Sequence, residues 1–264
     1  MPTILKTRRE IELMRRAGQV GCEILAKMRA AVAPGVTTGE LNQIATSELA
    51  KVNGIGLSKN YPTYKPGEGF PAETCISINE EVVHGIPGPR KLREGDIVTL
   101  DLALSVGDYC ADTATTVPVG KVNPEVKKLL DVTKETLALA INHLKPGKRW
   151  SEIARLMQYH VESNGFSVVR EFVGHGVGRS MHEDPKVPNF VTGEQLRGDF
   201  TLRPGMTIAV EPMVVMGDRE VRLLSDKWTV VTADGLPAAH FEHTVAVTEN
   251  GADILTDGRP PWGI

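Results

Sequence analysis

Disulfide capacity is the first thing this chain is short of. Its 264 residues include three cysteines, Cys22, Cys75 and Cys110, an odd number at wide spacing with no Cys-x-x-Cys pair. That argues against a disulfide framework or a zinc ribbon and suits a reducing, cytosolic compartment. Long hydrophobic runs are missing as well. Arg and Glu break the N-terminal stretch MPTILKTRREIELMRRAGQV early, so it lacks the apolar core of a signal peptide, and no later run approaches a membrane span. Neither sign of charge dominates. A net charge of −3 gives no electrostatic case for nucleic acid or an anionic membrane as the main partner. Pro, Gly and Ser gather nowhere into an interdomain linker. What is present, 41% hydrophobic and 24% charged residues, is ordinary for a soluble protein with a sizeable core.

The chain repeats its own plan. Thr7-Arg8-Arg9-Glu10 reads as a capping box, followed by Ile11, Met14, Ala17, Gly21, Ile24, Leu25 and Met28 at helical spacing. This helix should end before Ala33-Pro34-Gly35, and Thr37-Thr38-Gly39-Glu40 opens a second that runs to Asn53-Gly54. Downstream, Asn123-Pro124 caps VKKLLDVTKETLALAINHL, Lys145-Pro146-Gly147 ends it, and SEIARLMQYHVESNG follows. With Pro34-Gly35 set on Pro146-Gly147, further matches appear in the same order. Val83-His84-Gly85-Ile86 resembles Gly174-His175-Gly176-Val177, residues 95–101 resemble 205–211, and Asp112-Thr113 resembles Glu242-His243-Thr244. The reading is one α+β domain over 1–264, built from pseudo-twofold halves of about 1–122 and 123–264, each helix–helix–strand–strand–strand.

Two carboxylates stand out in the first half. Asp101 lies in DIVTLDLALSV and Asp112 in YCADTATTVPVG, with a turn signal at Val106-Gly107-Asp108. A two-residue turn centred on Val106-Gly107 would set the two acids opposite each other on one hairpin face. Like charges there repel, and a divalent cation between them would reverse the sign. A pair of solvent-facing acids at a sheet edge is the plainer reading of these two alone. The repeat argues against it. The copies of Asp101 and Asp112 are Glu211, in TIAVEPMVV, and Glu242, in HFEHTVAVT, both within β-prone runs where a lone buried acid is penalised. Four such acids would converge on the pseudo-axis, and His175 adds a nitrogen. This donor set suits manganese, iron(II), cobalt or zinc rather than copper, and is large enough for two ions sharing bridging groups.

At this point a resemblance becomes specific. CISINEEVVHGIP at 75–87, GDIVTLDLAL, ADTATT, GHGVGRSMHEDP, GMTIAVEPMV and FEHTVAVTENG together resemble the type I methionine aminopeptidases, M24-type metallopeptidases of pita-bread fold. The likeness runs from the first helix to near residue 255. It implies a central curved antiparallel sheet with the metal site at the pseudo-axis. It also implies an aminopeptidase that removes an initiator methionine when the second residue is small, through a metal-activated bridging water that attacks the scissile carbonyl.

Carried over by position, the resemblance makes Asp101, Asp112, His175, Glu211 and Glu242 ligands of two divalent ions. Asp112 and Glu242 would bridge both, Asp101 would serve one, and His175 and Glu211 the other. Glu211 would also be the general base. His182 and His84 would touch substrate near the scissile bond and the bound N-terminus without binding metal. Gly174 and Gly176 would let the backbone of His175 come close to the site. Phe70, Cys75, Met181 and Trp228 would line the methionine pocket, where apolar, polarizable walls suit a thioether.

The sequence departs from the family pattern at the pocket rim. YPTYKPGEGF at 61–70 is longer than the matching loop, with Pro-Gly-Glu-Gly inserted, so either Tyr61 or Tyr64 could be the wall. Phe70 replaces a frequent tyrosine and Met181 a frequent phenylalanine. With no N-terminal zinc-finger extension and no large helical insertion, the chain resembles the short bacterial-style form. Implied partners are N-terminal methionine peptides and nascent chains, met by a cytoplasmic monomer. Any ribosome contact through residues 217–222, which are mixed in charge, would be weak and salt-sensitive.

Three other readings compete. An Xaa-Pro aminopeptidase or dipeptidase shares the ligand pattern but usually carries a further N-terminal domain and lacks the CISINE…HGIP stretch. A metal-free pita-bread peptide-binding protein would have lost ligands, and this chain keeps five. A purely structural repeat leaves the four aligned acids unexplained.

Overall fold

The computed structural model describes residues 3–62 and 69–259. Helix α1 (Arg8–Ala31) starts where Thr7 and Glu10 cap each other: the Thr7 N–H donates to Glu10 Oε2 at 2.8 Å, and the Glu10 N–H donates to Thr7 Oγ1 at 3.3 Å. Thr37 and Glu40 repeat the device before α2 (Thr38–Lys51), at 2.8 and 3.1 Å. Strands β1 (Ile55–Gly56), β2 (Cys75–Ile78), β3 (Glu81–Val83), β4 (Ile97–Val106) and β5 (Tyr109–Pro118) follow. Asn123 Oδ1 accepts from the Val126 N–H at 2.8 Å to open α3 (Pro124–His143), where Pro124 occupies a first-turn position that needs no N–H. Next comes α4 (Trp150–Ser163).

The remainder is richer than the first half. It holds β6 (Ser167–Val168), β7 (Gly174–Gly176), β8 (Glu183–Val187), the short α5 (Gly193–Arg197), β9 (Thr207–Val210), β10 (Met213–Val215), β11 (Val221–Leu223), β12 (Val230–Thr232), β13 (Ala238–His240), β14 (Glu242–Thr248) and β15 (Gly251–Ile254). Five described strands follow the first helix pair and ten the second, which corrects the expected three in each.

Nine strands form one antiparallel sheet in the order β1-β4-β5-β14-β9-β7-β8, with β2 also on β4 and β15 also on β14. Two three-stranded sheets, β13-β10-β6 and β11-β12-β3, stand beside it. The long strands show why the site is where it is. Leu100, Leu102 and Leu104 of β4 pack with Met28, Leu41 and Leu49 of the first helix pair. Ile208 and Val210 of β9, with Val245 and Val247 of β14, pack with Ile153 and Met157 of α4. Each such side chain stabilises by roughly 1.5–3 kcal/mol when fully buried, which holds the helices on one face. Period-two alternation then sends Asp101, Ala103, Asp112 and Glu242 to the other face.

The β4–β5 register differs from the sequence expectation. Val106 pairs with Tyr109, so the turn is Gly107-Asp108, and Asp101 faces Ala114 while Asp112 faces Ala103. Gly107, at φ 63°, takes the first turn position, where two-residue hairpins accept glycine at positive φ. The shift is two residues, so both acids keep the same face and stand diagonally instead of directly opposed.

Within the large sheet the two halves meet at a narrow seam. Strands β5 and β14 pair through only Thr113–His243 and Ala114–Glu242. Two threonines reinforce it reciprocally. Thr113 Oγ1 donates to the Glu242 carbonyl at 3.1 Å, and Thr244 Oγ1 donates to the Asp112 carbonyl and accepts the Asp112 N–H, both at 2.8 Å.

Candidate metal centre and substrate cavity

The five donors named by the sequence come together from five places. Asp101 is on β4, Asp112 on β5, His175 on β7 and Glu242 at the start of β14, while Glu211 directly follows β9. All five line one cavity of about 290 Å³. Asp112, His175 and Glu242 each offer one ligand atom, and those atoms lie within 4.8 Å of one another.

The hydrogen bonding of His175 fixes what faces the acids. Its Nδ1 is 2.9 Å from the Gly176 carbonyl, which can only accept, so Nδ1 carries the proton and Nε2 presents a lone pair. That lone pair points at Glu211 Oε1, 3.5 Å away, and Asp112 Oδ2, 3.7 Å away. These spacings are long for hydrogen bonds but suit atoms sharing one cation. Asp112 Oδ1 and Glu242 Oε1 are buried without a hydrogen-bond partner among the described residues.

Burial raises the Asp101 carboxyl to about 7. Burial, then the neighbouring acids, holds Asp112, Glu211 and Glu242 well above the usual carboxylate range. Four crowded, desolvated acids and one oriented imidazole lone pair favour a bound cation over any arrangement of the acids alone. The residues fit divalent metal.

His84 and His182 reach the same cavity by different routes. His84 follows β3 at φ 60°, a left-handed conformation that costs a non-glycine residue about 1–3 kcal/mol. Its ring packs edge-on against Phe172, centroids 5.4 Å apart, and burial lowers its pKa to about 4. His182 lies in the loop between β7 and β8, its Nδ1 3.0 Å from the Tyr61 hydroxyl and its ring 4.3 Å from that of His175. Glu183 holds this loop: its Oε1 accepts the Arg179 and Ser180 N–H groups at 3.0 and 3.3 Å, and its Oε2 takes the buried Lys6 ammonium.

Phe70, Cys75, Met181 and Trp228 all line the cavity, with Phe70 and Trp228 packed edge-on at 5.3 Å. Tyr61 lines it too; Tyr64 and the inserted Pro66-Gly67-Glu68 lie outside the described residues.

One expectation needs correcting. Gly174 and Gly176 admit neighbouring strands, not the site. A methyl group on Gly174 would overlap the Ala209 carbonyl oxygen of β9, and one on Gly176 that of Asp184 on β8.

Sequence reasoning also missed a residue. His240 is 2% exposed, lines the cavity, and puts Nε2 3.9 Å from both Glu211 Oε2 and Glu242 Oε2. Its place two residues before Glu242 did not give its face, because β13 and β14 belong to different sheets.

Residues 12–249 match the model of metallopeptidase family M24. A methionine aminopeptidase of Bacillus subtilis is 47% identical over 253 residues, covering 96% of this chain and 98% of its own. The crystal structure of methionine aminopeptidase from Thermotoga maritima is 42% identical, with a TM-score of 0.89, covering 97% of this chain and 99% of that one. A prolidase from Pyrococcus horikoshii shares the fold alone: it is 21% identical with a TM-score of 0.74, over 97% of this chain and 64% of its own.

Proposed function

The chain belongs to metallopeptidase family M24, with the pita-bread fold, and from that premise we propose that it removes N-terminal methionine from peptides and nascent proteins when the second residue is small. It is a metal-dependent hydrolase, a methionine aminopeptidase. The observation that carries the reading is a single cavity in which four acids, Asp112 and Glu242 buried and Asp101 and Glu211 half-buried, and His175 share space with an apolar wall of Phe70, Cys75, Met181 and Trp228. At about 290 Å³ this is the low end for ligand pockets, a size for one side chain and an adjoining peptide bond. The Xaa-Pro alternative is not favoured: the Pyrococcus horikoshii prolidase is alike in fold alone, whereas the methionine aminopeptidase of Bacillus subtilis is 47% identical over 96% of this chain.

Two divalent ions, of manganese, iron(II), cobalt or zinc, would be held by Asp101, Asp112, His175, Glu211 and Glu242. Asp112 and Glu242, one from each side of the seam, would be shared between them. Bound there, divalent ions supply a nucleophile at neutral pH and Lewis acidity towards the scissile carbonyl.

The chain's own groups do the rest. Glu211 acts as base through Oε2, the oxygen turned away from His175, which keeps a lone pair to take a proton from the attacking water. If the Tyr61 hydroxyl donates to His182 Nδ1, Nε2 of His182 carries the proton and can donate to the carbonyl oxygen as negative charge grows there. His84 faces the bound N-terminus. The apolar wall excludes water from around the thioether.

One domain of two halves, about 1–122 and 123–264, is the organisation we assign, and the cytoplasm the compartment, with the chain acting as a monomer. Among the described residues no helix is long and apolar enough to cross a membrane. Residues 217–222 would touch the ribosome weakly at most: Arg219 already lies 3.5 Å from Glu220.

Hydrolysis of Met-Ala-Ser against Xaa-Pro peptides, with added manganese or cobalt and after chelation, tests the function. Met-Ala-Ser should be cut, and chelation should stop it. Cleavage of Xaa-Pro alone, or indifference to the chelator, would falsify the reading.

A further inference from the structure

His240 is the one imidazole in the cavity that has no task in the scheme above. Thr116 pins its backbone: the His240 N–H donates to Thr116 Oγ1 at 2.9 Å, and Thr116 Oγ1 donates to the His240 carbonyl at 2.7 Å. The ring cannot swing away to solvent, because the residue is 2% exposed. Both ring nitrogens are buried without a hydrogen-bond partner among the described residues. Leaving a buried donor unpaired costs about 1–3 kcal/mol, so this placement needs a compensating use.

The geometry narrows that use. Nε2 stands 3.9 Å from one oxygen of Glu211 and 3.9 Å from one oxygen of Glu242. The other oxygen of Glu211 faces His175 at 3.5 Å. Glu211 is therefore bracketed by two imidazoles, one on each oxygen. The ligand atoms that cluster within 4.8 Å belong to Asp112, His175 and Glu242, and His240 stands outside that group. An Nε2–H here reaches both carboxylates after a side-chain shift of less than about 1 Å, to ordinary hydrogen-bond length.

We propose that His240 is a positioning residue: its Nε2–H donates to the Glu211 and Glu242 carboxylates and sets which of their oxygens face the cation. This inference rests on the metal-centre reading above and adds a residue to it. Hydrogen bonds behind the ligands typically change metal affinity by about 10–100-fold.

The test titrates Mn²⁺ onto chelator-stripped wild-type protein, His240→Phe and His240→Gln, following binding by calorimetry and thermal unfolding of the metal-free forms. The phenylalanine variant, which fills the space without a donor, should bind Mn²⁺ about 10–100-fold more weakly. The glutamine variant, whose amide keeps a donor, should recover most of that loss. Metal-free unfolding should barely move, as a purely structural role would not allow. Should His240→Phe fail to fold, His240→Leu makes the same comparison.

Equal affinity in wild type and the donor-free variant overturns the proposal, as does a glutamine variant no better than phenylalanine. So does a second imidazole nitrogen coupled to bound Mn²⁺ in pulsed EPR, which would make His240 a direct ligand. Wild-type protein that binds no Mn²⁺ sinks the metal-centre reading itself, a result distinct from any of these.

Discussion

The two halves of the molecule share one plan and use it differently. In the first, β4 and β5 join by two residues, and the hairpin brings Asp101 and Asp112 to one face with nothing between. In the second, the equivalent strands β9 and β14 are separated by β10 to β13. Their pairing stops at Val210–His243, and Glu211 stands one residue beyond it. What the halves have in common therefore gathers the candidate metal donors, and the second half's interruption adds Met213, Trp228 and His240 to the cavity wall.

That comparison can be broken most severely at the seam. Asp112 and Glu242 are its equivalent acids, so Asp112→Asn and Glu242→Gln should each lower turnover about 10³-fold or more while the protein stays folded, read by Met-Ala-Ser hydrolysis and circular dichroism. Near-normal turnover in one of them would show that the halves do not contribute alike.

A smaller effect tests the histidine-glycine matches. A methyl group on Gly85 would overlap the Ile76 carbonyl oxygen, and one on Gly176 that of Asp184. Gly85→Ala and Gly176→Ala should each cost about 3 kcal/mol in denaturant unfolding. A cheap Gly85→Ala would mean that the first half yields where the second is rigid.

The mildest test separates the two threonines. Thr244 makes two seam hydrogen bonds and Thr113 one. Thr244→Val should destabilise by about 2 kcal/mol and Thr113→Val by about 1 kcal/mol; equal costs would make the seam symmetric after all.

The sequence disclosed whatever depends on neighbours along the chain. The Thr7–Glu10 capping box forms as expected, and the helix start read at Thr37–Glu40 closes with the same device. The faces of Asp101 and Asp112 followed from alternation within one strand each. The hairpin register did not, because choosing between Val106-Gly107 and Gly107-Asp108 depends on which position glycine takes at positive φ. The small sheets were hidden for another reason: β3 pairs with β12, and β6 with β10, across long stretches of chain. His240 escaped because β13 and β14 belong to different sheets, and alternation does not carry across Phe241.

The narrow seam has a thermodynamic consequence. A cation held by Asp112 from one half and by His175 and Glu242 from the other would add a tie across the large sheet where it is joined by two residue pairs, beside the β3–β12 pairing and the buried Arg15–Asp253 ion pair that link the halves elsewhere. Ligation and cohesion are then a single equilibrium: at a free metal concentration of 1,000 times Kd, linkage adds about 4.1 kcal/mol to the folded state. Withdrawal of the ion would remove that contribution to folding together with the activity, so resistance to unfolding would track the metal supply.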